Sequence, residues 1–199
     1  LGLGHAVNAY CARWAAPNFD GSNYDSTEGP ELGIEADAVT RGLNLILKDL
    51  KEYMPSDPSY FVQQSVFEDG DAPFMINGPW TTGSLNDANI DYGVAPIPAP
   101  SGGTPRPYMG VKLVFFAKKM QRADDSARAA RQFAEWYTTN DERMRNLANN
   151  AGFVPVKANL TGSEQLPSAV QGFARQAATG FPMPQHPRMG AVWGPFEDA

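Results

Sequence analysis

Apolar residues recur along this chain at two spacings, and the spacing decides which element each stretch can form. Between Glu35 and Tyr53, the residues Val39, Leu43, Ile46, Leu47 and Leu50 form one stripe, while Arg41, Lys48, Asp49 and Lys51 fall opposite. That pattern predicts a surface helix, ended by Pro55 and Pro58. Ala6, Tyr10 and Trp14 stand at four-residue spacing and predict a helix over residues 1–16. Val62, Val66 and Phe67 predict another over 60–67, stopped by Asp69-Gly70-Asp71. Ser126 to Tyr137 presents Ala129, Ala130, Phe133, Ala134 and Tyr137 on one face, and Asp124 and Asp125 favour its N-terminus. Thr139 with Glu142 has the form of a capping box, opening a helix that runs to about Asn149 and is closed by Gly152. Pro167 to Ala178 turns Val170, Phe173, Ala174 and Ala177 inward and ends at Gly180.

Three apolar runs are too short for helices and read as buried strands: Pro73–Asn77, Tyr92–Ala95 and Tyr108–Ala117. Residues 17–33 carry loop chemistry, with a short strand pair expected around Asn23-Tyr24. Pro96, Pro98 and Pro100, followed by Ser-Gly-Gly-Thr-Pro-Arg-Pro, offer too few donors for a sheet interior. Gly78-Pro79 follows the first strand at once, and proline at a first helical position suits a helix start. Trp80 is therefore expected at the mouth of a strand-to-helix turn, where ligands sit in open α/β sheets. On its residues alone, that tryptophan fits a core position equally well.

Composition narrows the classes. At 199 residues the chain makes one large domain or two small ones, and 42% hydrophobic with 19% charged residues fits a globular protein. A net charge of −6 argues against nucleic acid, which calls for a basic surface. Cys11 stands alone, so an intrachain disulfide is excluded. His5 and His186 are far apart, and no zinc spacing, GxGxxG, P-loop or G-x-S-x-G pattern occurs, so neither metal nor cofactor is expected. No internal repeat or membrane-length apolar run is present, and the opening at Leu1 with no signal peptide suggests a piece of something longer.

One stretch carries a resemblance: Phe67, two residues, Gly70, two residues, an apolar run, then Asn77-Gly78-Pro79-Trp80. It is similar to the signature of family 1 extracellular solute-binding proteins, of the maltose/maltodextrin-binding type that serves ABC sugar importers. Trp136-Tyr137-Thr138-Thr139-Asn140-Asp141-Glu142, Gly152-Phe153-Val154-Pro155-Val156 and the Pro-rich 181–193 match the same family in the same order. The likeness runs over nearly the whole chain. It implies an α/β fold, an incomplete lobe of the type II periplasmic-binding-protein class with three-layer α/β/α architecture. It further implies that 1–108 is C-terminal-lobe α/β structure, that 109–162 is a segment relatives lend to the N-terminal lobe, and that 163–199 returns to the C-terminal lobe. The family's opening portion and final helices would then lie outside this sequence.

The resemblance also supplies a candidate ligand-binding set: Trp80, Trp193, Tyr10, Asn8, Met183, Tyr60, Asn77 and Arg188. In the family Trp80, Trp193 and Tyr10 match positions that stack on sugar. Asn8 stands where relatives carry a glutamate, which leaves the exact sugar open. A lone Met such as Met183 is more often filler than contact, and Arg188 reads equally as a solvated surface group. Stacking has a physical basis, because a pyranose presents a C–H face to a flat ring with few rotamers to freeze. Covering ~80 Å² of ring contributes about 2 kcal/mol. Three rings would therefore supply much of the roughly −8 kcal/mol of a micromolar complex, before binding costs.

The implied function is carbohydrate binding outside the cytoplasm, with an oligosaccharide ligand, ABC permease subunits as partners, no nucleic acid and no catalysis. The family closes two lobes around its ligand, so an isolated lobe is expected to bind weakly, and its unpaired strand edges invite a swapped or edge-paired oligomer. Two other readings stay open. Glu68, Asp69 and Asp71 would have to serve a carboxylate-dependent glycan-cleaving enzyme, although such a site needs carboxyls on opposite sides of a bond. A non-binding structural piece of the fold is the third reading.

Overall fold

The computed structural model describes residues 37–98, 105–121, 124–183 and 189–198. The expected helix over 1–16, the 17–33 loop and the sites Asn8, Tyr10 and Arg188 lie outside the described residues. In chain order the elements are α1 (Asp37–Asn44), α2 (Tyr60–Glu68), α3 (Thr82–Asp87), β1 (Tyr108–Met109), α4 (Asp125–Thr139), α5 (Asp141–Ala151), α6 (Ala158–Thr161), α7 (Ser168–Ala177), β2 (Phe181–Pro182) and α8 (Gly190–Asp198). They belong to two compact units. The first takes in Leu1–Asn77, Ile97–Gly110 and Gln176–Ala199; the second takes in Gly78–Pro96 and Val111–Arg175.

In the first unit, α1 runs on through a π-helical stretch, Leu45–Leu50, and a 3-10 turn, Lys51–Tyr53. Of Leu43, Ile46, Leu47 and Leu50 in the apolar stripe expected there, only Ile46 is buried; Leu47 is 52% exposed. Adjacent residues on a helix stand about 100° apart, so the stripe does not require both to be covered. Helix α2 forms as its spacing predicts and ends where expected. The amides of Asp71 and Ala72 donate back to the Val66 carbonyl while Gly70 adopts φ +81°. Its buried residue is nevertheless Gln63, with Val62, Val66 and Phe67 half-buried.

The expected strands are the main correction. Parallel β1–β2, with Tyr108 opposite Phe181, is the only ladder among the described residues. Pro73–Asn77 and Tyr92–Ala95 join no ladder among those residues, and Phe74 is 78% exposed. Beyond Met109, the run Val111–Phe116 likewise joins no ladder, and Val111, Leu113, Val114, Phe115 and Phe116 are all exposed. β-propensity describes fit to a pleated, half-buried surface; without a neighbouring strand it leaves only extended chain.

The second unit is helical. Ala148, Leu166 and Val170 form its core cluster with Val154 packed against them, and Leu85, Ala127, Ala134, Met144 and Leu160 are also buried. On α4 the expected face holds at Ala134, but Phe133 turns outward against Trp136 and Tyr137, with ring centroids 5.9 and 5.7 Å away. Asp124 caps α4 by accepting from the Ala127 amide at 2.8 Å. The capping box expected at Thr139 is not formed. Thr139 still belongs to α4 and returns its hydroxyl to the Glu135 carbonyl at 2.7 Å, as helical threonines do. Asn140 caps α5 instead, accepting from the Arg143 amide at 2.8 Å. Asp141, in the first turn of α5, pairs with Lys157 just ahead of α6.

Candidate functional site

The Asn-Gly-Pro-Trp motif builds an aromatic surface from local chemistry. Pro79 opens a 3-10 turn, Pro79–Thr81, that continues into α3. Both the amide and the hydroxyl of Thr81 donate to the Gly78 carbonyl, at 3.2 and 2.9 Å. Thr82 donates its hydroxyl to the Pro79 carbonyl at 2.9 Å, and Ser84 to that of Thr81 at 3.0 Å. The turn is thereby stitched by three hydroxyls, those of Thr81, Thr82 and Ser84. The indole of Trp80 lies back over Gly78: a Cβ there would stand 2.2–2.6 Å from three atoms of the six-membered ring. Only glycine leaves room for it. Trp80 nevertheless remains 59% exposed. It rests on backbone and keeps a broad apolar surface in solvent, unlike a core tryptophan.

The turn is braced from below. Gly152 closes α5 in the left-handed conformation, φ +69°, and a Cβ on it would fall 2.1 Å from Thr82 Oγ1 and 2.4 Å from the Pro79 carbonyl oxygen. Thr82 and Gly152 also line an open cleft of about 240 Å³, together with Asn86, Tyr92, Asn149 and Ser168 among others. There the Tyr92 hydroxyl donates to Asn86 Oδ1 at 3.3 Å, and burial raises its pKa.

The first unit holds the other described candidates. Trp193, half-buried on α8, meets Tyr108 of β1 edge to face, centroids 6.2 Å apart. Burial holds the Tyr108 phenol well above its ordinary range. Met183 is 38% exposed and follows β2, the strand paired with Tyr108. The ladder thus sets Met183 next to the strand paired with β1, while the ring contact joins Trp193 to Tyr108. Tyr60 opens α2 with its ring edge-on to Phe61 at 5.3 Å, and Asn77 donates to Met75 Sδ at 3.5 Å. Trp80 belongs to the second unit.

Sequence reading had no reason to single out Thr82, and it took Tyr108 only as a strand start, Gly78 only as part of a motif and a helix start, and Gly152 only as a helix stop and part of a motif. A motif string shows that a glycine precedes Pro-Trp; it does not show that a ring settles on it.

The carboxylates of the enzyme reading are committed to their own helix. Glu68 accepts from Gln64 Nε2 at 2.8 Å and Asp69 from Ser65 Oγ at 3.2 Å, while Asp71 is exposed. Among the described residues no group of three or more His, Cys, Asp or Glu is arranged to hold a metal ion, and no helix is long and apolar enough to cross a membrane.

The second unit thus carries an exposed indole on a Gly-Pro turn, and the first a parallel ladder. Comparison with known proteins gives the class: residues 5–174 match the family model for bacterial extracellular solute-binding proteins, and this chain belongs to that family. Among relatives, it is 37% identical to the maltotriose-binding protein of Pyrococcus abyssi over 205 residues, covering 100% of this chain and 44% of that protein. It is 27% identical to the maltodextrin-binding protein MdxE of Bacillus subtilis, covering 85% of this chain and 41% of that one. Among solved structures, the Thermus thermophilus maltotriose-binding protein bound with maltotriose matches with a TM-score of 0.74 at 26% identity, covering 98% of this chain and 52% of that one. A cyclo/maltodextrin-binding protein complexed with maltotetraose matches in fold with a TM-score of 0.74 at 24% identity, covering 96% and 51%. The fold is therefore that of the maltose/maltodextrin-binding proteins, the type II periplasmic-binding class, over about half of their chains. The chain spans less than half the length of the two relatives it matches here.

Proposed function

We propose that this chain binds malto-oligosaccharides as part of an extracytoplasmic solute-binding protein of an ABC importer, holding sugar rings against aromatic side chains. The observation that carries the reading is Trp80: an indole seated on Gly78, stitched into a braced turn, and still 59% exposed. Kinship with the Pyrococcus abyssi maltotriose-binding protein along the entire chain supports the sugar class. In this reading Trp80, Trp193 and Tyr10 stack on sugar, and Asn8, Asn77 and Arg188 bond its hydroxyls. Tyr60 and Met183 complete the apolar contact. Residues 1–108 and 163–199 form C-terminal-lobe structure and 109–162 serves the other lobe.

The protein binds without cleaving, and it delivers its ligand to permease subunits. Titration with maltotriose followed by tryptophan fluorescence tests this, with cellotriose as the control sugar and reducing ends measured alongside. A maltotriose-specific change with no new reducing ends is expected. Released reducing ends would transfer the assignment to an enzyme, and equal response to both sugars would remove the sugar class. The exposed run Val111–Phe116 also suits edge pairing between copies, which a solution mass of twice the chain would support.

A further inference from the structure

We infer that Gly152, at the end of α5, is a positioning residue for the Trp80 indole, acting through the turn Pro79–Thr82; the consequence for sugar binding rests on the function proposed above. Gly152 is buried, and its missing side chain is what lets the end of α5 sit against that turn. The two atoms a Cβ would strike, Thr82 Oγ1 and the Pro79 carbonyl oxygen, are themselves hydrogen-bonded at 2.9 Å. They flank Trp80 along the chain. One of them is backbone, so it cannot rotate out of the way.

Helix α5 is in no position to yield instead. It is capped by Asn140 and anchored by buried Met144 and Ala148, with Ala148 in the core cluster. A side chain at 152 therefore displaces the turn. The indole lies back over Gly78 within that same turn, so a displaced turn carries the ring with it.

Gly70 separates this role from ordinary helix closure. It ends α2 with φ +81°, as Gly152 ends α5 with φ +69°, yet a Cβ on Gly70 would meet nothing within 4 Å. Both glycines serve the left-handed conformation; only Gly152 is also required by contact.

The test uses the whole chain labelled with 5-fluorotryptophan. Its Trp80 fluorine resonance is assigned by Trp80→Phe, and maltotriose binding is measured on the same samples. In Gly152→Ala the Trp80 resonance is expected to move by more than its line width while that of Trp193 stays. The Kd for maltotriose should rise about fivefold, the effect of a gap on the order of 1 Å under a stacked ring. Gly70→Ala, which meets the left-handed strain alone, should change neither. Thr82→Ala, which deletes one of the two atoms braced by Gly152, covers the case in which Gly152→Ala does not fold; it should move the same resonance. A Trp80 signal unmoved in the folded variants overturns the inference. Trp80→Ala with unchanged maltotriose affinity would instead sink the sugar reading, leaving the ligand-free fluorine shifts to judge the positioning role alone.

Discussion

Replacing Trp80 by alanine separates a binding surface from a core residue, and the structure supplies both magnitudes. An indole offers roughly 240 Å², and with 59% of it exposed about 140 Å² faces solvent. One pyranose face covers ~80 Å² of that, so its loss removes about 2 kcal/mol of binding, or roughly 30-fold in Kd. The cost to folding is somewhat smaller. About 100 Å² of the ring is covered, worth about 2.5 kcal/mol at the same coefficient, and contacts as local as that with Gly78, two residues away, persist in part in the unfolded chain. About 1.5 kcal/mol of stability should go, a fall of roughly 3–6 °C in Tm for a chain of this size. Isothermal titration with maltotriose measures the first quantity, with saturation-transfer NMR where binding is weaker than millimolar; thermal unfolding by circular dichroism measures the second. A Kd within threefold of wild type, or a Tm lowered by some 10 °C, would refute the reasoning, because either result describes a ring that supports the fold rather than a ligand.

Other outcomes follow from single contacts. Asn140→Ala should cost about 1 kcal/mol by removing the cap of α5, whereas Thr139→Ala should cost only a few tenths; urea unfolding compares the two, and equal losses would restore the capping box. Leu160→Ala, at a side chain 1% exposed, should cost 2–5 kcal/mol in the same assay, and a loss under 1 kcal/mol would show that the site is poorly packed. The Lys157 ammonium donates to Asp141 and holds that carboxyl below its ordinary range; burial opposes the shift, while the charge of Lys157, a bond from Asn159 and the charge of Arg145 reinforce it. Because the folded pKa is the lower one, this stabilisation is fully present above the unfolded value of about 3.9 and is lost as pH falls through the folded value. Lys157→Met should raise the Asp141 pKa toward 3.9 in a carboxyl-carbon NMR titration, and an unchanged value would mean the pair is open in solution.

Elements written in local chemistry were legible before any coordinates. Helices expected over 60–67, 126–137 and from Thr139 to about Asn149 stand at Tyr60–Glu68, Asp125–Thr139 and Asp141–Ala151, and Gly70 and Gly152 mark ends where a left-handed residue closes the turn. The Asn-Gly-Pro-Trp string likewise pointed to the family, while leaving open whether Trp80 was exposed or core. Strands were not legible to the same degree. Val111 to Phe116 has the composition of a buried strand and is exposed throughout, because a strand exists only through the neighbour it bonds to and no local spacing encodes that neighbour.

Tertiary structure also decided which member of a face is buried. Ile46 is covered while its stripe neighbour Leu47 is not, and Gln63 is buried where three apolar residues had the better claim. The support of the candidate site is of the same kind. Nothing in the chain's order joins Gly152 to Pro79 and Thr82, seventy residues earlier. Periodicity and turn chemistry are properties of a few consecutive residues, so sequence determines them directly. Burial and close approach are properties of distant segments brought together, and those only the folded chain can set.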